Sequence, residues 1–449
     1  MRRQILALAA TAAVVAAACG GGGATTAPSI AATAAATPAA TAAASTPPSA
    51  AASASEAASA APSYSTGEYG TIKPLKPAVD LSKVGGPGEG SLNIIIWAGY
   101  AESGKNDPVY DWVTAFEQET GCKVNTKVGN TSDEMVSLIR QGGGATYDGV
   151  SASGDATLRL IANGDVAAID PSTIPGFGDI APFLQNAPHY VVNGQHYGVP
   201  HGWGGNTLLY RSDIVTPAPT SWNVVFDPTA SKPYQGKITD YDSPIYIADA
   251  ALYLKAHNPE LGITDPYELT QDQFNAAVAL LTQQHPWVGK YWSLFSDEID
   301  NFKSGTTVVG TTWPYQYNDL KYTEKSPVGQ VVPTEGMTGW ADTWMMSSHA
   351  AHPNCMLKWM AWMITPEVQT EVAEYFGEAP ANPKACKYLD ATYGDYGLKN
   401  FCQDYGVNDP NFYNSIAFWR TPLADCGDSR GQTCVDYSAW TQAWTTIKG

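Results

Sequence analysis

The chain has 449 residues and a formal net charge of −18, from 43 acidic and 25 basic side chains. That balance excludes nucleic acid and anionic lipid surfaces as partners and favours, weakly, a cationic ligand. About 360 residues follow position 90, too many for one hydrophobic core and suited to two lobes.

Arg2 and Arg3 precede an apolar run over residues 5–15, shorter than the roughly 20 residues that span a bilayer. Residues 1–18 therefore read as a secretory signal peptide. The run closes on Ala16-Ala17-Ala18-Cys19, which resembles the lipobox of bacterial lipoproteins, whose Cys is lipidated and becomes the new N-terminus. The lipobox usually carries Leu where this chain has Ala16, so an ordinary A-x-A cleavage site with an incidental Cys19 is the other reading. The composition of the next segment favours the lipoprotein. From Gly20 to about Ser65 the chain is Ala, Thr, Ser, Pro and Gly, with Glu56 as its one charged residue and Ile30 and Tyr64 as its larger apolar groups. Such a segment cannot bury enough apolar surface to offset its conformational entropy. Pro28, Pro38, Pro47, Pro48 and Pro62 interrupt any alanine helix. Residues 19–90 are thus expected to be a lipidated Cys and a disordered tether, about 45 residues of which reach roughly 35–40 Å. The predicted location is extracytoplasmic, anchored to the outer face of the cytoplasmic membrane in a Gram-positive-type envelope, or periplasmic where the cell has an outer membrane.

Six further cysteines remain: Cys122, Cys355, Cys386, Cys402, Cys426 and Cys434. In an exported chain they suggest up to three disulfides, with fifteen connectivities open. Cys426–Cys434 is the preferred local pair and Cys122–Cys355 the long-range one. No C-x-x-C is present, so zinc and thioredoxin-like chemistry have no support, and no metal or cofactor is expected.

Leu92-Asn93-Ile94-Ile95-Ile96-Trp97 predicts a buried parallel strand. Val109, Trp112, Val113 and Phe116 follow at helical spacing, with Gly121 as the stop. Residues 122–128 predict a second strand. Residues 131–140 predict a helix, with Thr131 as N-cap and Met135, Leu138 and Ile139 on one face. Residues 147–150 predict a third strand and 156–162 a third helix. The alternation implies an α/β fold with a largely parallel sheet. Ligands bind beyond the carboxyl ends of such strands, here residues 97–100 and 151–155. In the second half a strand over 237–239 leads into Asp240-Tyr241-Asp242, and one over 307–312 leads into Trp313-Pro314-Tyr315. Helices are predicted over 356–363, from Pro366 to about Phe376, and over 440–447.

Seven stretches, in order over roughly residues 91 to 380, resemble the spermidine/putrescine-binding proteins of ABC importers. The first is the opening strand through Ala98-Gly99-Tyr100. Next come Phe116-Glu117-Gln118-Glu119-Thr120-Gly121-Cys122-Lys123-Val124, and Tyr147-Asp148 before a Ser-bearing loop. Then comes Tyr197-Gly198-Val199-Pro200-His201-Gly202-Trp203-Gly204. The last group is Thr334-Glu335-Gly336, Trp340-Ala341-Asp342 and residues 361–366. The resemblance implies a type II periplasmic-binding-protein fold: two α/β lobes, three interlobe crossings forming a hinge, and a ligand cleft between the lobes. Such proteins close on a solute and deliver it to permease subunits in the membrane, which is conformational work and not catalysis. Carried onto this chain, lobe 1 takes residues 91–205 and 314–376. Lobe 2 takes 206–313 and 377–449, with a Cys-rich C-terminal extension. A monomer is expected.

The resemblance also implies the site. Each ammonium of a diamine or triamine needs carboxylates or aromatic faces, and Trp is the strongest cation–π partner. Trp97 and Tyr100 match the family's aromatic pair after the first strand, against a core Trp at a strand end. Ser153 matches its loop serine. Asp155 stands where some members have an aromatic, and binds an ammonium or caps the following helix. Trp203, Trp292, Trp313 and Tyr315 match or neighbour cleft aromatics, against packing roles. Asp240 and Asp242 match an ammonium-binding acidic loop. Trp340 and Asp342 supply a further ring and anion, or brace the hinge. Two departures stand out. A second carboxylate expected shortly after Asp242 falls on Ile245 or Tyr246, and an Asp found in some members falls on Gln316, a neutral amide. The expected ligand is a polyamine-like cation, with a betaine-type or carbohydrate solute as the alternative. A secreted hydrolase is the rival class. It would need a G-x-S-x-G elbow or an H-E-x-x-H helix, and the chain has neither.

Overall fold

The computed structural model describes residues 77–392 and 401–449. Cys19, the signal peptide and the tether up to residue 76 lie outside the described residues. In chain order the strands are β1 (Ser91–Ile96), β2 (Lys123–Val128), β3 (Gly149–Ser153), β4 (Val191–Val192), β5 (Gln195–His196), β6 (Val199–Gly205) and β7 (Thr207–Arg211). They continue with β8 (Ile238–Tyr241), β9 (Val288–Trp292), β10 (Val309–Thr312), β11 (Val328–Val331), β12 (Met337–Met346), β13 (Ala379–Pro380) and β14 (Ile416–Phe418). Two large sheets result. One has the order β13-β6-β12-β3-β1-β2 with β14 beside β12, and the other the order β11-β7-β10-β8-β9.

Local chemistry sets the early elements. Asp111 caps the helix Trp112–Thr120 by accepting from the Thr114 N–H at 2.9 Å, and Gly121 ends it at φ 70°. Thr131 caps Ser132–Ile139 by accepting from the Glu134 N–H at 3.1 Å. Helix and strand faces meet over Ile94, Ile96, Phe116, Trp359 and Met360, all buried. Cys122 is joined to Cys355, Cys386 to Cys402 and Cys426 to Cys434.

Several expectations are corrected. The sheets are mixed: β1, β2 and β3 run parallel, but β12 is antiparallel to β3 and β6, because the returning chain re-enters the first sheet in the opposite sense. The third strand is shifted to Gly149–Ser153. Asp148 instead braces its start, accepting from the Asn93 N–H and the His352 N–H at 2.7 and 2.9 Å. The tether does not run free to residue 90. Leu81 and Val84 are buried in the first lobe, and Lys358 Nζ donates to both of their carbonyls at 2.6 and 2.5 Å. Gly86 and Glu89 bond to the start of the helix Pro353–Met363. The chain does not return at 314, since β11 belongs to the second sheet and re-entry comes with β12. Nor does everything past 377 belong to the second lobe, since β13 and β14 pair in the first sheet.

Two crossings lie side by side. Asn206, between β6 and β7, donates from its backbone to the Thr338 carbonyl at 2.8 Å and from its amide to Thr338 Oγ1 at 2.7 Å. Thr338 Oγ1 in turn donates to the buried Asp249 at 2.9 Å. After β14 the tail passes onto the second lobe, where the helix Tyr437–Lys448 buries Tyr437, Trp440, Trp444 and Ile447 on one stripe.

Candidate ligand-binding cleft

Strand alternation decides what each lobe presents. On β8, Tyr241 turns toward Trp292 and Trp313, with ring centroids 5.0 and 5.5 Å away, and those two indoles meet edge-on at 4.8 Å. Trp313 reaches Trp340 on β12 at 6.3 Å, Trp340 reaches Phe376 at 6.3 Å, and Phe376 reaches Tyr100 at 4.6 Å. Trp419 of the tail stacks on Tyr241 at 5.6 Å and 18°. These distances are those of favourable aromatic pairs. A continuous aromatic wall therefore joins side chains from both sheets and from the tail.

The acidic end of that wall belongs to the first lobe. Asp342 accepts hydrogen bonds from Tyr100 Oη at 2.7 Å and Ser153 Oγ at 2.6 Å, and Tyr100 Oη also lies 3.2 Å from Glu378 Oε2. Both carboxyls are buried. Burial raises Asp342 to about 7, with the charge of Asp155 adding to the effect. Burial and the Asp342 charge push Glu378 well above the carboxylate range. His201 lies with its Nε2 3.4 Å from Glu378, but it accepts from the Trp344 indole at its Nδ1 and burial lowers it to about 3. It is neutral and gives no ion pair. No described lysine or arginine pairs with Asp342 or Glu378. Asp155, in the first turn of the helix Gly154–Ala162, is buried, accepts from Ser132 Oγ at 2.8 Å and is raised by burial.

Some candidate residues lie elsewhere. Trp203 is core: its indole donates to the Pro380 carbonyl at 3.3 Å and its ring packs among Phe183, Phe412, Tyr413 and Phe418. Asp240 in β8 and Asp242 just after it point to the side opposite the ring of Tyr241. Asp240 accepts from Tyr246 Oη at 2.7 Å inside the second lobe, where burial raises it to about 7. Asp242 accepts from the Trp444 indole at 3.1 Å and from the ammonium of Lys448, which also sits 5.4 Å from the Tyr291 ring centre. The chain's own lysine thus occupies the carboxylate expected to face a ligand. Tyr315 packs on Phe295 and beside Gly377, and Trp97 is half-buried at the end of β1 with no ring contact to the wall among the described residues.

Reading the sequence missed Tyr241, Phe376, Glu378 and Trp419. Tyr241 had a signal, since two acids at i and i+2 of a strand share one face and leave the residue between them on the other. Glu378 and Trp419 had none, because each is brought in by tertiary packing of an irregular segment.

Residues 111–397 match the family model of bacterial extracellular solute-binding proteins. The spermidine/putrescine-binding periplasmic protein of Escherichia coli is 24% identical over 312 residues, 67% of this chain and 84% of that protein. The putrescine-binding periplasmic protein SpuD of Pseudomonas aeruginosa is 24% identical over 377 residues, 78% of this chain and 94% of that one. The crystal structure of the spermidine/putrescine ABC transporter substrate-binding protein PotD of Streptococcus pneumoniae superposes with a TM-score of 0.60 at 19% identity. It covers 80% of this chain and 99% of its own. Two α/β lobes joined by adjacent crossings and a matched stretch spanning most of the folded chain place this protein among the bacterial extracellular solute-binding proteins, receptors of the two-lobed type II fold that bind a solute and catalyse nothing.

Proposed function

We propose that this protein captures a small organic amine cation of the polyamine type in the cleft between its lobes and delivers it to the permease of an ABC importer. One observation carries the reading: Asp342 and Glu378 are buried together at the end of an aromatic wall with no cationic partner from the described chain. Burying an unpaired carboxylate is costly unless a counter-charge arrives. An alkylammonium supplies that charge to the acids, its methylenes to the rings, and roughly 0.5–2 kcal/mol per cation–π contact. The names of the curated relatives, which bind spermidine and putrescine, agree with this chemistry. Sugars stack on indoles too, but bring no positive charge to the two buried acids.

A second reading, an amine with a single positive charge, is supported by Lys448, which neutralises Asp242 and leaves the acidic groups of the wall on the first lobe. Thermal melting with putrescine, spermidine, choline, 4-aminobutyrate and maltotriose separates the readings. A ligand at about 100 times its Kd stabilises by roughly 2.7 kcal/mol. Putrescine or spermidine is expected to raise the melt. A shift with maltotriose and none with any amine overturns the proposal, and a shift with choline or 4-aminobutyrate alone selects the second reading.

We further propose that Cys19 is lipidated and retains the receptor at the membrane, as its small-residue approach and the alanine-rich segment after it suggest. In cells carrying Cys19→Ala the protein is expected in the soluble fraction. Recovery of that variant with the membranes rejects the anchor.

A further inference from the structure

The wall of rings has a second end. It runs from Tyr100, bonded to Asp342, through Phe376 and Trp340 to Trp313 on the second lobe. Trp313 follows β10 directly, and its backbone is held from behind. Gln316 Oε1 accepts from the Trp313 N–H at 2.7 Å and from Thr312 Oγ1 at 3.2 Å. Against that pair lies Glu298, in the first turn of the helix Phe295–Ser304 and 0% exposed. Thr312 and Gln316 are the polar side chains beside its carboxyl. Yet neither Glu298 Oε1 nor Oε2 has a hydrogen-bond partner among the described residues, and nor does the buried Gln316 Nε2. Burial and the charge of Asp240 push Glu298 well above the ordinary carboxylate range, and Thr312 and Gln316 oppose this without cancelling it. No described cation answers the acid: Lys303 of the same helix pairs with Glu324 at 2.9 Å, and Lys448 is taken by Asp242.

Packing does not call for an acid here. Ile299 and Phe302 of the same helix are buried with Leu209, Leu320 and Val328, and an apolar side chain at 298 would avoid the cost of burying a carboxyl. A buried acid without a partner, beside a cleft, marks a functional position. Its neighbour is also telling. Position 316, where some members of the family carry an aspartate, is an amide in this chain, and the carboxyl stands beside it on the adjacent helix.

We propose that Glu298 is the second-lobe carboxylate of the solute site: it receives the far ammonium of a diamine whose near ammonium lies at Asp342, and it selects solutes charged at both ends. The inference rests on the amine reading above and narrows it, against the singly charged alternative. Trp340 and Trp313, with centroids 6.3 Å apart, flank the methylenes between the two charges. Gln316 is a positioning residue, which fixes the Trp313 backbone through Oε1 and offers Nε2 to the carboxylate.

Calorimetric titration of the mature chain with putrescine and with n-butylamine, which has the same carbon chain and one charge, tests the assignment. Wild type is expected to prefer putrescine by about a hundredfold. Glu298→Gln, which keeps the shape of the side chain, is expected to weaken putrescine at least tenfold and n-butylamine less than threefold. Equal losses for both amines, or unchanged putrescine affinity, overturn the assignment. The swapped pair, Glu298→Gln with Gln316→Glu, returns a carboxylate to the same place and is expected to bind putrescine within threefold of wild type. A swapped pair no tighter than Glu298→Gln rejects a role for charge at this point. Wild type alone decides the matter should Glu298→Gln fail to fold, since equal affinity for the two amines removes the second-lobe anion while leaving the amine reading intact. Wild type that binds neither putrescine nor spermidine nor n-butylamine overturns the amine reading itself.

Discussion

Asp342→Asn is expected to abolish amine capture and, at the same time, to raise the melting temperature of the solute-free protein. The first effect comes from charge. In the proposed complex Asp342, which accepts from Tyr100 and Ser153, is ionised by the arriving cation, and removing one partner of a buried charge pair costs about 3–5 kcal/mol, which is at least a hundredfold in Kd. The second comes from proton linkage. The folded-state value of about 7 lies above the ordinary aspartate value of 3.8 because of burial. The native protein therefore holds a proton between those two values that the unfolded chain has released, and stability falls as pH rises from about 4 to about 7. Above pH 7 the full penalty of ionising the buried group is present, on the order of 2–4 kcal/mol. Asparagine carries none of it. The gain of the variant over wild type should be largest at pH 8 and shrink toward pH 5. A cation favours the ionised form, so wild-type affinity for putrescine should rise with pH up to about 7 and then level off, while calorimetry below that point registers proton release. The pH dependence should flatten in Asp342→Asn. Binding within threefold of wild type in the variant would take Asp342 out of the site.

Removing the Cys122–Cys355 disulfide, as Cys122→Ala with Cys355→Ala, should produce the largest loss of stability available from covalent structure. The bond joins residues 233 apart and closes the largest of the three loops. Chain-entropy arguments give up to about 5 kcal/mol for such a loop, and measured values more often reach 2–4 kcal/mol. For a folded part of this size that corresponds to roughly 3–6 °C in Tm. Both cysteines lie in the first lobe, before β2 and in the first turn of the helix Pro353–Met363, so the two halves of that lobe are joined independently of the crossings. Putrescine affinity should change less than threefold. A Tm within 1 °C of wild type would show that packing alone holds the halves together.

The architecture was legible because the early strands and helices carry strong local patterns. The isoleucine run of β1, the Gly121 stop and the Thr131 cap each name an element without reference to the rest of the chain. What escaped depended on distance. β12 shows no sign of its sense in its own residues, and β13 and β14 are too short to announce which sheet they join. In the cleft, Asp342 and Trp340 could be named from a short motif, and the tertiary structure joins them to rings from both lobes. Asp240 and Asp242 misled because their resemblance to an ammonium-binding acidic loop carries no strand parity: both point away from the ring of Tyr241 that lines the wall. Lys448 shows why composition cannot settle ligand charge, since a counter-ion from the far end of the chain can occupy an acid that would otherwise await one.

The brace formed by Lys358 with the carbonyls of Leu81 and Val84 has a mechanical consequence. Any pull transmitted from residues before 77 is delivered to the first lobe, at a point riveted to the helix Pro353–Met363, and bypasses both crossings. If the receptor is moored through its N-terminus, the first lobe is the stator and the second the swinging jaw. Tension on the mooring then neither opens nor shuts the cleft, and its opening and closing are left to the solute and the permease.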